Sequence, residues 1–348
     1  MLAGAIFVVG QSSPETRWAS NSWRRVSEAG MLGGNPIACL EVLGGSVLDR
    51  MVQATQRDGV KLITIVVRDK CSQLVRTSAT QAATIASVPS QGDLWSAAEC
   101  ALRGYVQHGV ELVWLTQLGA YMELDLGHII RFHRDTKQGI TILTKDHAPL
   151  DSWIIDAAEV RKTQRIGLPS LIDRKGVPGV IPYHVPGYVC SLAEAIGLRQ
   201  LAVDGLLSRC SIRPRGREVK AGVWLDDGVQ IHRRARIVAP TYLGCGTKLR
   251  ADTLITRFSA LERGCQVQDG TVIEDSSVLA NTCVGKGLHV ARAIVDGRRL
   301  LPLERHVVIE IQDSRLLSRT LPVECPRPGA EGATAASLAE RILATAWN

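Results

Sequence analysis

The sequence predicts two folded parts: an α/β domain with a mostly parallel sheet over residues 1–210, and a three-sided coil of parallel strands over residues 220–297. Short apolar runs alternate with amphipathic segments along the first part, which is typical of a succession of strands and helices. In the second part an aliphatic residue recurs at every sixth position, and such a period indicates a solenoid. Because a chain of 348 residues is longer than one core usually serves, two domains are expected. Residues 298–348 are predicted to form a C-terminal extension.

The elements of the α/β part follow from its apolar pattern. Each predicted strand is a short, nearly continuous apolar run, as expected of a strand that is buried on both faces of a sheet. Each predicted helix has apolar residues three and four positions apart, and Asp58-Gly59 marks the end of the first helix. In chain order, the predicted elements are a strand at Ala5–Val9, a helix at Ser46–Arg57, a strand at Leu62–Val67, a helix at Leu94–Gln107, a strand at Glu111–Leu115, a helix at Leu126–Asp135 and a strand at Ile140–Thr144.

The repeat of the second part has two linked positions. Its aliphatic series is Leu225, Ile231, Ile237, Leu243, Leu249, Ile255, Leu261, Val267, Ile273 and Leu279. Four places after each of these stand, in the same order, Val229, Ala235, Thr241, Thr247, Thr253, Ser259, Cys265, Thr271, Ser277 and Cys283, and after a one-residue slip the pattern resumes at Val284 and Val290. A period of six matches neither a helix nor a strand. Each hexapeptide is therefore predicted to form one side of a triangular coil, with its aliphatic residue inside and its small residue at a corner.

This repeat resembles that of the hexapeptide-repeat proteins, whose fold is a left-handed parallel β-helix. The resemblance covers residues 223–296. Some members of that family are acyltransferases that use a histidine at a trimer interface, so His232 and His289 are candidates for that role. No acyl-donor motif accompanies either histidine, and oligomerisation is the preferred role for the coil.

Composition excludes several classes of partner. The net charge is +7, but the arginine clusters have no aromatic residues between them and there is no basic tail, so nucleic acid is not an expected partner. The nine cysteines form no CxxC pair, which predicts reduced and mostly buried thiols. The opening run MLAGAIFVVG has no basic residue before it and is too short to span a bilayer. A cytoplasmic location without membrane contact is therefore expected.

Three segments of the first part resemble the sugar nucleotidyltransferases (NDP-sugar pyrophosphorylases), in sequence and in order. They read NPIACLEVLGGSVLDRMVQATQRDGVKLITIVV, ELVWLTQLGAYMELDLGHIIRFHRDTKQGITIL and GYVCSLAEAIGLRQLAVDGLL. The resemblance implies a Rossmann-like nucleotidyltransferase fold and the transfer of a nucleotidyl group from an NTP to a sugar 1-phosphate. In that family a Gly-rich loop, an Arg and a Lys contact the phosphates and two Asp residues hold Mg²⁺, since the reaction depends on positioning and charge neutralisation.

Several of the family's functional residues differ in this sequence. The loop after the first strand reads GQSSPETR, which keeps Gly10 and offers Arg17 as the phosphate-binding arginine. The family's lysine aligns with Ile37, its first metal-binding Asp with Gly119 and its second with Ser191. No catalytic or metal-binding residue is therefore predicted, and Mg²⁺ is expected only if the protein is active.

The resemblance still implies a binding site. Its base-binding turn aligns with Gly92–Ser96, where Trp95 replaces a glycine that lets the base approach. The ligand-binding candidates are Gly10, Arg17, Gly92, Asp93 and Tyr121. The expected function is that of a nucleotidyltransferase-like protein without catalysis, acting as a sugar-nucleotide-binding regulatory or scaffolding subunit.

Two other functions stay open. A divergent but active nucleotidyltransferase would use Glu194, Asp93 or another carboxylate for its metal, and a hexapeptide acyltransferase would use His232 or His289. His133 matches a helix-end histidine of the nucleotidyltransferases that is structural.

The expected partner is a second copy of this chain, bound through the coil, or a different protein. A linker at 324–337 and a short amphipathic helix at Ser337–Trp347 are predicted at the C-terminus. The helix is expected to pack on the coil, and partner binding is the alternative.

Overall fold

The structure is a computed structural model that describes residues 3–10, 30–162, 168, 180–305 and 307–323. The described residues form two compact units: one comprises those up to Cys39 and those of Ser46–Glu194, and the other comprises Leu40–Gly45 and those from Ala195 onward. The residues from 195 to 210, which the sequence analysis placed in the first domain, thus belong to the second unit. The predicted tail from residue 324 onward lies outside the described residues.

A mixed sheet forms the centre of the first unit. Its strands, with one further pair, are β1 (Ala3–Val9), β2 (Leu62–Arg68), β3 (Thr84–Val88), β4 (Leu112–Gln117), β5 (Ala120–Met122), β6 (Ile140–Lys145), β7 (Ala148–Asp156), β8 (Val180–His184) and β9 (Val189–Ser191). The seven strands of the main sheet have the order β8-β6-β7-β4-β1-β2-β3, and β5 pairs with β9 separately. β1 is parallel to β2 and β4, whereas β7 is antiparallel to both its neighbours. The first unit is therefore a mixed α/β structure with a largely parallel sheet, as predicted.

The three longer helices of this unit begin at capping side chains. The helices are α1 (Val47–Arg57), α2 (Leu94–Gln107), α3 (Leu126–Thr136) and α4 (Ala157–Lys162). The Ser46 hydroxyl accepts the Asp49 amide at 3.0 Å, and the Asp125 carboxylate accepts the His128 amide at 2.8 Å. These contacts satisfy amides that have no partner in the first turn of a helix. Sequence signals of this kind set the helix starts.

The seven elements predicted for this unit all form, with ends that differ from the prediction by no more than two residues. Five strands of this unit, β3, β5, β7, β8 and β9, were not among the predicted elements. β7 reads APLDSWIID, and its first four residues are exposed or half-buried, with Pro149 among them. The first half of β7 therefore has the composition of a loop, and only its second half is apolar and buried.

The longer part of the second unit begins with helix α5 (Ala195–Leu206), which is followed by short strands. These are β10 (Arg217–Lys220), β11 (Val223–Leu225), β12 (Gln230–Ile231), β13 (Arg236–Ile237), β14 (Thr241–Leu243), β15 (Lys248–Leu249), β16 (Leu254–Thr256), β17 (Ala260–Leu261), β18 (Gln266–Val267), β19 (Val272–Glu274), β20 (Ser277–Val278), β21 (Thr282–Val284), β22 (His289–Ala291), β23 (Ala293–Asp296), β24 (Arg299–Pro302), β25 (Ile309–Glu310) and β26 (Leu317–Arg319). They form three sheets with the orders β10-β11-β14-β17-β20-β23-β24-β25, β12-β15-β18-β21-β26 and β13-β16-β19-β22.

From β11 to β23, each strand pairs in parallel with the strand three places further along the chain. The strands therefore form the three sides of a coil. Leu225 pairs with Leu243 and Leu243 with Leu261, a spacing of 18 residues (243 − 225 and 261 − 243). The predicted interior residues from Ile237 to Ile273 are buried, and Leu243, Leu261 and Ile273 have no exposed surface. Three predicted hexapeptides therefore make one turn of the coil.

The predicted register is wrong by one residue at its end, for Leu279, Ser277 and Cys283. Leu261 pairs with Val278, not with Leu279, and Val278 belongs to the apolar core of the coil. The one-residue slip therefore comes before Leu279, whereas the sequence analysis placed it after Cys283.

The backbone at one corner explains this slip. Between Ile255 and Leu261 the chain turns through two left-handed residues, Arg257 and Phe258. At the equivalent corner of the next turn only Asp275 is left-handed, and the chain is one residue shorter. A turn that needs one residue fewer shifts every later inward position, and no feature of the aliphatic series alone reveals this.

The small residues of the repeat bond to the next turn of the coil. The Thr247 hydroxyl donates to the Glu262 carbonyl at 3.2 Å, and the Ser259 hydroxyl donates to the Ile273 carbonyl at 3.3 Å. Both hydroxyl-bearing residues are fully buried, and a buried hydroxyl without a partner would be costly. The small size that the corner requires and the hydrogen bond to the next turn together explain why serine and threonine recur at this position of the repeat.

The hairpin at Leu40–Gly45 is fixed to the coil by a buried carboxylate. Its turn passes through Leu43 and Gly44, at φ 53° and 84°. Their amides donate to the Glu262 carboxylate at 2.7 and 3.0 Å, and Glu262 is only 2% exposed. A Cβ at Gly44 would lie 2.5 Å from the Tyr242 hydroxyl oxygen, so this turn needs glycine.

Two findings concern the whole described chain. Among the described residues, no helix is long and apolar enough to cross a membrane. The cysteines in the described ranges are free thiols and most of them are buried, which agrees with the predicted cysteine state.

Candidate functional site

The carboxyl edge of the main sheet has a topological switch point beside β1. The chain continues from β1 to β2 on one side, and β4 adds on the other side. Loops diverge at such a point and leave room for a ligand beyond the strand ends. Gly10 directly follows β1 with φ 109°, and Gln117 ends β4. The Gln117 side-chain amide donates to the Gly10 carbonyl at 3.2 Å.

The two positions that align with the family's metal-binding aspartates lie side by side. Ser191 in β9 pairs with Ala120 in β5, and the Leu192 amide donates to the Gly119 carbonyl at 2.8 Å. Ser191 is exposed, and a Cβ at Gly119 would meet no atom within 4 Å. Neither residue offers a carboxylate, so this pair of residues does not fit Mg²⁺. Among the described residues no other cluster of three His, Cys, Asp or Glu could hold a metal ion.

Asp93 is a helix cap. Its carboxylate accepts the amides of Trp95 at 3.2 Å and Ser96 at 3.0 Å, and it also accepts the Ser96 hydroxyl. These bonds begin α2 and give Asp93 a structural role beside its predicted ligand-binding role. Trp95 is 1% exposed and packs edge-on against Trp153. Its ring therefore lies in the core of the first unit.

An arginine that the sequence analysis missed holds the loop before α2. Arg68, the last residue of β2, donates to the carbonyls of Ser90 at 2.8 Å and Gly92 at 2.9 Å. A Cβ at Gly92 would lie 2.6 Å from a methyl carbon of Val88, so a glycine is required there. Arg68 ends β2 and Gln117 ends β4. Both could have been found in the sequence as polar residues at the ends of apolar, buried strands.

Tyr121 and Ile37 are both buried. The Tyr121 hydroxyl lies 3.4 Å from the Glu123 carboxylate, and its ring is tilted against that of Tyr188. Ile37 has no exposed surface, so an alignment that puts the phosphate-binding lysine there would direct a charge into the core. Arg17 lies outside the described residues.

Comparisons with known proteins find a structural likeness but no sequence relative. No protein-family model matches the chain, and no curated protein matches it. The structure is similar to that of HddC from Yersinia pseudotuberculosis complexed with GMP-PN, at a TM-score of 0.41 and 12% sequence identity. The likeness covers 58% of this chain and 98% of that chain. A similarity at this level does not assign a function.

The candidate residues of the alternative functions divide between the two units. His289 lies 3.2 Å from the Glu274 carboxylate, and the His232 ring nitrogen accepts the Arg234 amide at 3.2 Å. Both histidines belong to the coil, in the second unit. Glu194 is exposed and lies three residues beyond Ser191.

His133 is buried in α3, at 2% exposure, and bonds through Nδ1 to the Thr141 hydroxyl at 2.8 Å. Burial lowers the pKa of His133 below its ordinary value of 6.5, with the nearby Asp156 opposing this shift and Arg134 adding to it. The folded imidazole is therefore neutral at pH 7, as the structural role predicted for it implies.

This burial predicts a pH dependence of stability. Below about pH 6.5 the unfolded chain protonates His133 while the folded chain does so less readily, so the free energy of unfolding falls. Above that pH the imidazole is neutral in both states, so the titration of His133 leaves the free energy of unfolding unchanged. In thermal melts, the difference between wild type and His133→Gln should shrink between about pH 7.5 and about pH 5.5. A constant difference over this range would contradict a depressed His133 pKa.

Proposed function

We propose that this protein is nucleotidyltransferase-like and binds a sugar nucleotide at the carboxyl edge without catalysing transfer, as a regulatory or scaffolding subunit. The observation that carries the proposal is the adjacency of Gly119 and Ser191. Two positions that are remote in sequence, and that the resemblance aligns with the family's two metal ligands, lie side by side, and both lack a carboxylate. This supports a family site from which the metal chemistry has been lost.

The rest of the edge supports binding rather than transfer. Gly10 has a positive φ directly after the first strand, at the position where the family's Gly-rich loop begins. The buried Ile37 leaves no room for the family's lysine. Nucleotidyl transfer depends on neutralising phosphate charge in the transition state. A site without the lysine and the metal-binding carboxylates can still bind a ligand of matching shape, but it loses this source of rate acceleration.

We further propose that the three-sheet coil is a left-handed hexapeptide β-helix that mediates association. Its 18-residue turns, buried aliphatic positions and left-handed corner residues support this assignment. The partner would be a second copy of this chain or a different protein, and the cytoplasmic location stays a prediction.

Calorimetric titration with a panel of NTPs and NDP-sugars, with and without Mg²⁺, tests the proposal. We expect one NDP-sugar to bind without metal. Gly10→Ala should weaken that binding about tenfold or more, because a side chain disfavours φ 109°. Gly109→Ala is the matched control, since Gly109 also has positive φ but lies at the opposite end of β4, before its first residue. Mg²⁺-dependent NTP binding would contradict the loss of catalysis, and no binding would contradict a ligand site.

The adjacency of Gly119 and Ser191 also predicts a gain of metal binding. In the double variant Gly119→Asp, Ser191→Asp, two carboxylates would stand on neighbouring backbone segments with open space around the first. Mn²⁺ binding, followed by electron paramagnetic resonance, should tighten at least about tenfold over wild type. Each single variant should gain much less. Equal binding by the double and single variants would show that the two positions do not share one site.

A further inference from the structure

A cavity lies at the amino edge of the main sheet, opposite the edge discussed above. It has a volume of about 490 Å³ and opens beside the first residues of β4 and β6, where α3 ends and α4 begins. This volume is in the range of small-molecule sites. The polar side chains that matter for its chemistry are those of His133, Arg134, Lys137, Asp156, Glu159 and Lys162.

One buried polar atom on this cavity lacks a partner. His133 is 2% exposed, its Nδ1 bonds to the Thr141 hydroxyl, and its Nε2 has no hydrogen-bond partner among the described residues. Buried polar atoms in folded proteins are nearly always bonded. His133 also lines the cavity, and Nε2 has almost no accessible surface, so a small shift of the ring toward the cavity is needed for a ligand there to supply the missing partner.

The charges around the cavity differ in depth. The Glu159 side chain is 17% exposed, whereas its partner Lys162, at 3.4 Å, is 72% exposed. Asp156 is half-buried, and its charge acts on the imidazole of His133. Lys137 is exposed, as is Arg134, which lies 3.8 Å from Glu111. The deeper groups are therefore short acidic side chains and an imidazole, and the cations lie on long, exposed side chains at the rim.

The end of α3 adds to this asymmetry. The cavity borders the last turn of the helix, and helix carboxyl ends carry a partial negative charge. Together with the Asp156 and Glu159 carboxylates, this end attracts a cation and disfavours an anion at the cavity floor.

We propose that the amino-edge cavity binds a small molecule through a protonated primary amine, which donates hydrogen bonds to His133 Nε2 and to the Asp156 carboxylate. The ammonium group lies among the deep acidic groups, and the rest of the molecule extends toward the rim. This site is independent of the carboxyl edge, and it stands or falls separately from the proposed function.

The test titrates the full-length protein with 1,4-diaminobutane and follows the His133 imidazole by long-range ¹H–¹⁵N correlation at about pH 7.5, where the imidazole is neutral. We expect a saturable shift of the Nε2 resonance. 1,4-Butanediol, which has the same length but no charge, should cause no saturable shift. A shift of equal affinity with the diol would overturn the proposal, as would saturation by inorganic phosphate but not by the diamine.

A matched pair of variants locates the ammonium group. Asp156→Asn keeps an oxygen that can accept the Ala158 amide, now bonded at 2.8 Å, and replaces the other carboxylate oxygen by an uncharged NH₂ group. Affinity for the diamine should fall about tenfold or more, as expected for loss of a charged hydrogen bond. Asp146→Asn, at the exposed turn between β6 and β7, should bind like wild type. Unchanged affinity in Asp156→Asn would refute the proposed geometry.

A third variant serves if Asp156→Asn unfolds. A Cβ at Gly139 would lie 2.9 Å from the Glu159 carboxylate, so Gly139→Ala displaces that side chain within the cavity without changing any charge. Diamine affinity should change severalfold in this variant while its melting curve stays close to that of wild type. An affinity equal to that of wild type would count against the cavity as the site.

Discussion

Replacing Leu249 by aspartate is expected to unfold the coil. Leu249 is 3% exposed and its strand, β15, is stacked between β12 and β18. An aspartate there would put an unpaired charge among aliphatic side chains, which is far costlier than the loss of the leucine contacts alone. We expect a loss of more than about 4 kcal/mol in the free energy of unfolding, seen as rapid hydrogen exchange across residues 223–296.

The neighbouring residue provides the control for this experiment. Arg250 follows Leu249 directly and is exposed. Arg250→Asp introduces the same side chain on the outside of the coil, and it should change stability by no more than about 0.5 kcal/mol. Hydrogen exchange in Leu249→Asp that matched wild type would place residue 249 outside the core and would contradict the register.

Glu262→Gln is expected to release the hairpin at Leu40–Gly45. The carboxylate accepts two backbone amides, one on each oxygen. Glutamine can accept only one of them, because its NH₂ group would face the second amide donor. The variant loses a charged hydrogen bond and leaves a buried amide donor unsatisfied. We therefore expect a loss of about 3 kcal/mol in the free energy of unfolding.

Hydrogen exchange at the Leu43 and Gly44 amides measures this effect directly. Both amides should exchange faster in Glu262→Gln than in wild type. Glu310→Gln, at a half-exposed carboxylate of β25, should leave them unchanged. Equal protection in Glu262→Gln and wild type would mean that the carboxylate does not hold the turn.

Periodic patterns predicted most of the regular structure. The bounds of α2 were predicted without error because an amphipathic pattern and a capping aspartate coincide there. The same aspartate, Asp93, was also interpreted as a ligand because the resemblance placed it in a base-binding turn. An Asp directly before an amphipathic segment is a capping signal in its own right. The local pattern should therefore be considered before the resemblance.

Features that depend on distant contacts were not predictable. The amino-edge cavity needs the end of α3 beside Asp156 at the end of β7, a strand that the sequence analysis missed. The corner at Asp275 shortens the coil by one residue through a backbone choice that several sequences could make. The proximity of Gly119 and Ser191 was implied only because the family's segments occur in the family's order.

The hairpin at Leu40–Gly45 makes the second unit discontinuous in sequence. A gene fragment that starts at Ala195 would encode every strand of the coil but neither Leu43 nor Gly44, and the buried Glu262 carboxylate would lose two donors. A single recombination crossover therefore cannot transfer this unit intact to another protein. Exchange of either unit requires a second crossover on the far side of the hairpin, which couples the inheritance of the two units.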